Sequence, residues 1–273
     1  MPVLIPAFLV AAIVAPYLVL PALVAIPASF AGVVLVAWWS SWRQRPKEGV
    51  SGAASRRLRL PVRGQWHSLN TPARKVPSHG THFLAQTYAF DFVAVDDELR
   101  TSSNLDWRAR LWLRPPESFY AFGQPIVSPC SGQVVASSDR SRDHRSRDSL
   151  PGLVIWFGAQ LPRSFMGARG LIGNHLVLRI DDGAYAVFAH LRRGSLKVGV
   201  GDEVVEGQVI ASCGNSGNST EPHLHFQLMD RPDVWWARGL PVAFDDYEVV
   251  TKHQGWITVT NGVPDRGERF RVH

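Results

Sequence analysis

Two histidines two residues apart close a run of small polar residues: positions 214–228 read Gly-Asn-Ser-Gly-Asn-Ser-Thr-Glu-Pro-His-Leu-His-Phe-Gln-Leu. In a strand, His223, His225 and Gln227 point to one face, and Leu224, Phe226 and Leu228 to the other. The apolar side would pack on a sheet, leaving two imidazoles together on the opposite side. Such a pair can share a metal ion, or one can hold the ion while the other moves protons. A pair of half-exposed strand histidines is the plain alternative. The glycines, asparagines and serines before them suit a loop whose backbone approaches a ligand closely.

Two further groups could join this pair. Residues 88–95, Tyr-Ala-Phe-Asp-Phe-Val-Ala-Val, read as a buried strand with one carboxylate, Asp91, set in it. A bare buried carboxylate is costly, so a cation, a metal or several donors should lie beside it. His190 stands near the end of another strand, Tyr-Ala-Val-Phe-Ala-His-Leu at 185–191, which pairs with 174–180 across an Asp-Asp-Gly turn. His67, His253 and His273 match no pattern and are expected at the surface, and His175 is expected in packing. Trp235 and Trp236 are expected in core or rim packing.

From Leu60 onward the pattern is β: many short strands at close spacing with few helical periods. That predicts a mainly β domain, an antiparallel β-sandwich or partly closed barrel. Residues 97–120 look like an inserted loop. Residues 139–148, Asp-Arg-Ser-Arg-Asp-His-Arg-Ser-Arg-Asp, alternate in charge and predict a solvated loop with His144 on its surface.

The 273 residues carry a formal net charge of +6, which favours anionic surfaces such as lipid headgroups or cell-wall polymer. No nucleic-acid motif accompanies the arginines, so no nucleic-acid partner is expected. Cys130 and Cys213 lack the spacing of a structural zinc site, and could be one disulfide or two buried thiols. No charged residue precedes Arg43, and the apolar run that ends at Trp38-Trp39 and Trp42 is too long for a signal-peptide core. It predicts a membrane segment at 1–43, one long helical span or two short ones, with tryptophans in the interfacial belt and membrane lipid as its partner. A basic linker at 44–59 follows, then a domain at 60–250 and a C-terminal extension at 251–273. The basic flank alone would favour a cytoplasmic side for that end of the segment.

Four stretches together resemble the LytM/lysostaphin family of zinc peptidases. Gly-Gln-Pro-Ile-Val-Ser-Pro-Cys-Ser-Gly-Gln-Val at 123–134 is similar to the family's strand pair, and Phe-Ala-His-Leu at 188–191 to its Tyr-Ala-His-Leu. Val-Gly-Val-Gly-Asp-Glu-Val-Val-Glu-Gly-Gln-Val-Ile at 198–210 and the loop and His-x-His strand at 214–226 complete the likeness. Lipoyl and biotinyl carriers share the third stretch, but they need a lysine at a hairpin tip, and Lys197 lies outside the turn. The resemblance implies Zn2+ held by Asp91 and His225, with His190 and His223 as active-site histidines that do not bind the ion. The family's first ligand is a histidine four residues before the aspartate, where this chain has Thr87. His79 is the expected substitute, with His82 as the alternative. The implied activity is that of a zinc endopeptidase acting on peptide cross-links of bacterial peptidoglycan, membrane-anchored with its catalytic domain facing the cell envelope. The alternative is a non-catalytic wall-binding or hydrolase-regulating module of the same family.

Overall fold

The two-residue alternation of the His-x-His strand runs through the centre of a large sheet. The structure is a computed structural model, and it describes residues 35, 38–45, 56–103, 112–149, 151–153, 155–156, 167–180, 183–251 and 253–273. In chain order the strands are β1 (Arg56–Arg59), β2 (Gly64–Asn70), β3 (Phe90–Ala94), β4 (Pro125–Val127) and β5 (Gly132–Ser138). Then come β6 (Asn174–Ile180), β7 (Tyr185–Leu191), β8 (Glu203–Val204), β9 (Val209–Ser212) and β10 (Leu224–Met229). The last are β11 (Gly239–Leu240), β12 (Val242–Asp245), β13 (Tyr247–Thr251), β14 (Gly255–Val259) and β15 (Arg269–Val272). One sheet runs in the order β14-β13-β15-β2-β3-β10-β7-β6-β5-β8, with β11 also paired to β10. That path has two ends, so the sheet is open and no closed barrel forms among the described residues. The small pairs β4-β9 and β1-β12 stand apart from it, and β1-β12 is parallel.

Alternation sorts the side chains into two layers. Leu224, Phe226 and Leu228 of β10 face the main core with Phe90 and Phe92 of β3, Phe188 of β7, Phe244 and Phe270. Each ring removed from water contributes about 1.5–3 kcal/mol. The partner positions Val187, Ala189 and Met229 face a smaller cluster with Leu84, Ile172 and Val234. Asp91, His225 and Gln227 lie in the same alternation as this second cluster. The polar site therefore shares a sheet face with a small apolar patch, and the large core braces it from behind.

Part of the expected C-terminal extension joins the main sheet. β15 lies between β13 and β2 in the main sheet, and its Phe270 is fully buried. The expected linker at 44–59 is packed at both ends: Gln44 is buried, and β1 pairs with β12. No helix among the described residues is long and apolar enough to cross a membrane, and the apolar run of residues 1–34 lies outside them. Cys130 and Cys213 are separate thiols.

His67 is a difference with a measurable consequence. It sits on β2 opposite Val93 and Arg269, and its Nδ1 is buried without a hydrogen-bond partner. Burial, with the Arg266 charge nearby, pushes its pKa from 6.5 down to about 4. The unfolded chain then takes up a proton that the folded chain refuses. This group's contribution is complete above the unfolded value and is lost as pH falls toward the folded one. Urea unfolding should show a larger drop in midpoint between about pH 7 and about pH 5 for the wild type than for His67→Gln. Equal drops would mean the imidazole is solvated.

Candidate functional site

Antiparallel register brings the distant parts together. β10 pairs with β3 so that His225 lies opposite Asp91, and with β7 so that His225 also lies opposite Ala189. Asp91 is 6% exposed, and its two oxygens face different imidazoles. Oδ1 lies 2.9 Å from His225 Nδ1, and Oδ2 lies 2.9 Å from His79 Nε2. His223 Nε2 is 3.5 Å from Oδ1. A bulge at the end of β2 swings Asn70 over the same carboxylate, and its Nδ2 donates to Oδ2 at 2.6 Å.

His190 arrives by a different device. Between the pairs Asn174–Leu191 and Leu176–Phe188 the register shifts, so Ala189 and His190 together oppose one residue. His190 has φ of 60°, a left-handed backbone that a residue with a Cβ adopts at a cost. Strict alternation would have sent it toward the core behind Ala189. The bulge sends it instead to the polar face, with its ring centroid 4.8 Å from that of His223. Strain of this kind concentrates where a side chain must be aimed.

His79 comes from a closed loop. Ser78 N donates to Thr87 O at 3.0 Å and Ser78 Oγ to Gln86 O at 3.1 Å, pinching residues 78–87 together. Leu84 and Ala85 turn the chain through left-handed backbone inside the short helical turn Phe83–Tyr88. This loop brings His79 Nε2 to 2.9 Å from Asp91 Oδ2. Thr87 is fully buried, and its hydroxyl holds His82 Nδ1 at 2.9 Å, so His82 stands outside the cluster. Burial, with the Arg45 charge beside it, lowers the His82 pKa.

The hydrogen bonds fix where the protons sit. Gln227 Oε1 accepts from His225 Nε2 at 2.9 Å, and Gln227 Nε2 is itself anchored on Leu84 O at 2.8 Å. Ser78 Oγ spends its own proton on Gln86 O, so it accepts from His79 Nδ1 at 3.0 Å. His223 Nδ1 donates to Glu221 O at 2.8 Å, and His190 Nδ1 to Ser216 O at 2.9 Å. A neutral imidazole has one N–H. In their neutral forms His79, His190 and His225 therefore carry the proton on the outer nitrogen and have a lone pair on the inner one, whereas the carboxylate beside His223 favours its protonated ring. Lone pairs aimed at an anion need a cation between them. Among the described residues His79, Asp91 and His225 are the one group whose ligand atoms, all within 4.8 Å of one another, could hold a metal ion. Two imidazoles and one carboxylate suit zinc with an open position.

The carboxylate dominates the electrostatics of the cluster. Burial alone would raise the Asp91 carboxyl, but the His79 and His223 charges and the histidine hydrogen bonds hold it well below the usual range. Burial, with His223 and His225 nearby, pushes His190 well down. Burial would also lower His223, yet Asp91 beside it leaves it raised. The five groups open on one cavity of about 600 Å³, whose walls include Asn70, Phe83, Trp156, Ile172 and Thr220.

Residues 139–148 form a loop with Arg140, Arg142 and Arg145 exposed, as expected, but its other side packs on the glycine loop. Asp143 accepts from Asn215 N at 2.7 Å and from Arg193 N at 3.0 Å. Asn215 Nδ2 donates to His144 O at 2.7 Å, and His144 Nε2 donates to Gly217 O at 3.0 Å. Ser146, Arg147 and Ser149 are buried. The segment straps down the glycine loop that supplies the carbonyls for His190 and His223. Gly217, at φ 73°, packs so closely on Gly173 that a Cβ would collide with its backbone. Alternating charge concealed this role; the aspartate's reach to backbone N–H groups left no sequence signal.

Residues 118–235 match the model of Peptidase family M23. The match spans His190, His223 and His225 but begins after the rebuilt His79 loop and Asp91. The chain is 26% identical over 155 residues to the peptidoglycan DD-endopeptidase ShyC of Vibrio cholerae, covering 54% of this chain and 34% of the relative. It is 45% identical over 58 residues to the glycyl-glycine endopeptidase ALE-1 of Staphylococcus capitis, 21% of this chain and 16% of the relative. The chain thus spans about a third or less of the length of these curated relatives. Among solved structures, the catalytic domain of the prophage-encoded M23 protein EnpA from Enterococcus faecalis (A109H mutant) aligns with a TM-score of 0.32 at 18% identity. That alignment covers 56% of this chain and 73% of the other.

Proposed function

We propose that this chain, which carries a peptidase family M23 domain of the LytM/lysostaphin type, is a zinc-dependent endopeptidase that hydrolyses peptide cross-links of bacterial peptidoglycan. The observation that carries the reading is the Asp91 carboxylate held between inward-facing lone pairs of His79 and His225. His79 Nε2, Asp91 and His225 Nδ1 are the ligands in this reading. Bound there, zinc would supply Lewis acidity and activate water near neutral pH.

The chain's own groups do the remaining work. His190 and His223 each anchor Nδ1 on a backbone carbonyl, which leaves Nε2 for the cavity. There the two Nε2 atoms can take a proton from the attacking water, donate a hydrogen bond to the developing oxyanion and return a proton to the leaving amine. Asn70 and Gln227 hold Asp91 and His225 in place, so the ligands need no reorganisation. Gln227→Leu should lower zinc affinity by about 10–100-fold with the fold intact, read by competition with a chelating dye. An unchanged affinity would show that His225 needs no such support. The names of the relatives support the substrate class. The non-catalytic alternative, a wall-binding or hydrolase-regulating module, is disfavoured because His79 stands where it could take the place of the ligand missing at Thr87. The apolar segment 1–43 is read as the membrane anchor, with the domain facing the envelope.

The test is digestion of purified peptidoglycan by the full chain in detergent. Muropeptides with new amino termini should appear, vanish on adding a chelator and return with zinc. Release that persists under chelation, or none from zinc-loaded protein, would end the reading.

A further inference from the structure

Residues 38–45 are fastened to the domain beside the cavity. Ser41 Oγ accepts from Thr81 Oγ1 at 3.2 Å and from His82 N at 3.0 Å. Gln44, 3% exposed, joins two loops: its Nε2 donates to Trp235 O at 2.5 Å, and its Oε1 accepts from Ala85 N at 3.4 Å. The Arg43 guanidinium lies between the rings of Trp39, at 4.9 Å, and Trp236, at 4.7 Å. Phe83 and Trp235 meet edge to face at 5.5 Å across the same seam. Thr81, Phe83 and Leu84 line the cavity. The segment therefore backs one wall of the groove through the loop at 81–85.

Its outer side is apolar and uncovered. Leu35 is 62% exposed, Trp38 61%, Trp39 44% and Trp42 55%. Single exposed apolar residues are ordinary, but four within eight positions make a patch. The patch is continuous with a chain that carries no charged residue before Arg43, and Arg43 and Arg45 follow it at once. Tryptophans at the end of an apolar run, then arginines, are what the headgroup layer of a bilayer accommodates.

We propose that residues 38–44 dock on a phospholipid bilayer surface while clasped to the loops at 81–85 and 233–236, so that the groove is held at the membrane face and not carried on a free tether. This rests on the reading of residues 1–43 as a membrane anchor. Substrate strands then reach the groove only close to the lipid surface.

The experiment uses the full chain in vesicles of phosphatidylcholine and phosphatidylglycerol containing a nitroxide-labelled lipid. Cys130→Ser removes the accessible thiol, while Cys213 is fully buried. A fluorescent thiol probe is then placed by Trp42→Cys, by Pro232→Cys on the loop that leads to Trp235, or by Val205→Cys on the turn after β8 at the sheet's far edge. Quenching should be several-fold greater at 42 and 232 than at 205. Adding Arg43→Ala and Gln44→Ala should bring 232 down to the level of 205 and leave 42 unchanged. Strong quenching at 42 with none at 232 would mean a free tether, and no quenching at 42 would mean that something other than lipid covers the patch; either overturns the proposal. A chain that fails to sediment with the vesicles would refute the anchor itself. None of these readouts depends on hydrolysis.

Discussion

Zinc should be lost from His79→Ala and kept by His82→Ala. The two histidines lie three residues apart on one loop, yet only His79 faces Asp91, at 2.9 Å, while His82 is turned onto Thr87. With His79 gone, two protein ligands remain where a catalytic zinc site uses three. The loss should exceed the roughly 10–100-fold that follows removal of a ligand's hydrogen-bond partner. Metal content by elemental analysis should fall from stoichiometric to near background, and peptidoglycan digestion with it. His225→Ala should behave in the same way. Equal zinc in the His79→Ala and His82→Ala chains would refute the ligand assignment, whatever happened to activity.

The second large effect separates chemistry from metal binding. His190→Ala and His223→Ala should each retain zinc and lose about 10²–10⁴-fold in kcat, the usual worth of a positioned acid or base. Their rings are 4.8 Å apart and serve one transition state, so the double variant should lose far less than the product of the two single losses. Zinc content and kcat measured on the same preparations decide the matter. Zinc lost along with activity would make these residues ligands, and full activity would remove them from the mechanism.

Much of this site was legible because strands have a period of two. Leu224, Phe226 and Leu228 against His223, His225 and Gln227 is a pattern only one fold element satisfies, and it also put Gln227 beside His225. Asp91 stood out because a carboxylate between phenylalanines needs a partner. His79 was harder: the loop that lifts it depends on Ser78 reaching Gln86 and Thr87 and on left-handed backbone at Leu84 and Ala85, neither of which leaves a local pattern. The route by which His190 reaches the site was invisible, because a bulge is a property of two strands together. Residues 139–148 were read only in part, for a related reason. Their charges looked solvated, but Asp143 accepts from backbone N–H groups of Asn215 and Arg193 that sequence does not advertise. The C-terminal residues read as an extension because their strands lie apart from the motifs. Only the sheet order shows β15 between β13 and β2.

That last placement bears on how the cluster around Asp91 is assembled. β2 is zipped to β3, the strand of Asp91, on one edge and to β15 on the other. The strand that carries the Asp91 carboxylate is thus braced, through β2, by a strand far along the chain from it. Pairings between remote parts of a chain form late and slowly. The cluster of His79, Asp91 and His225 should accordingly be completed late in folding, after β15 has paired with β2.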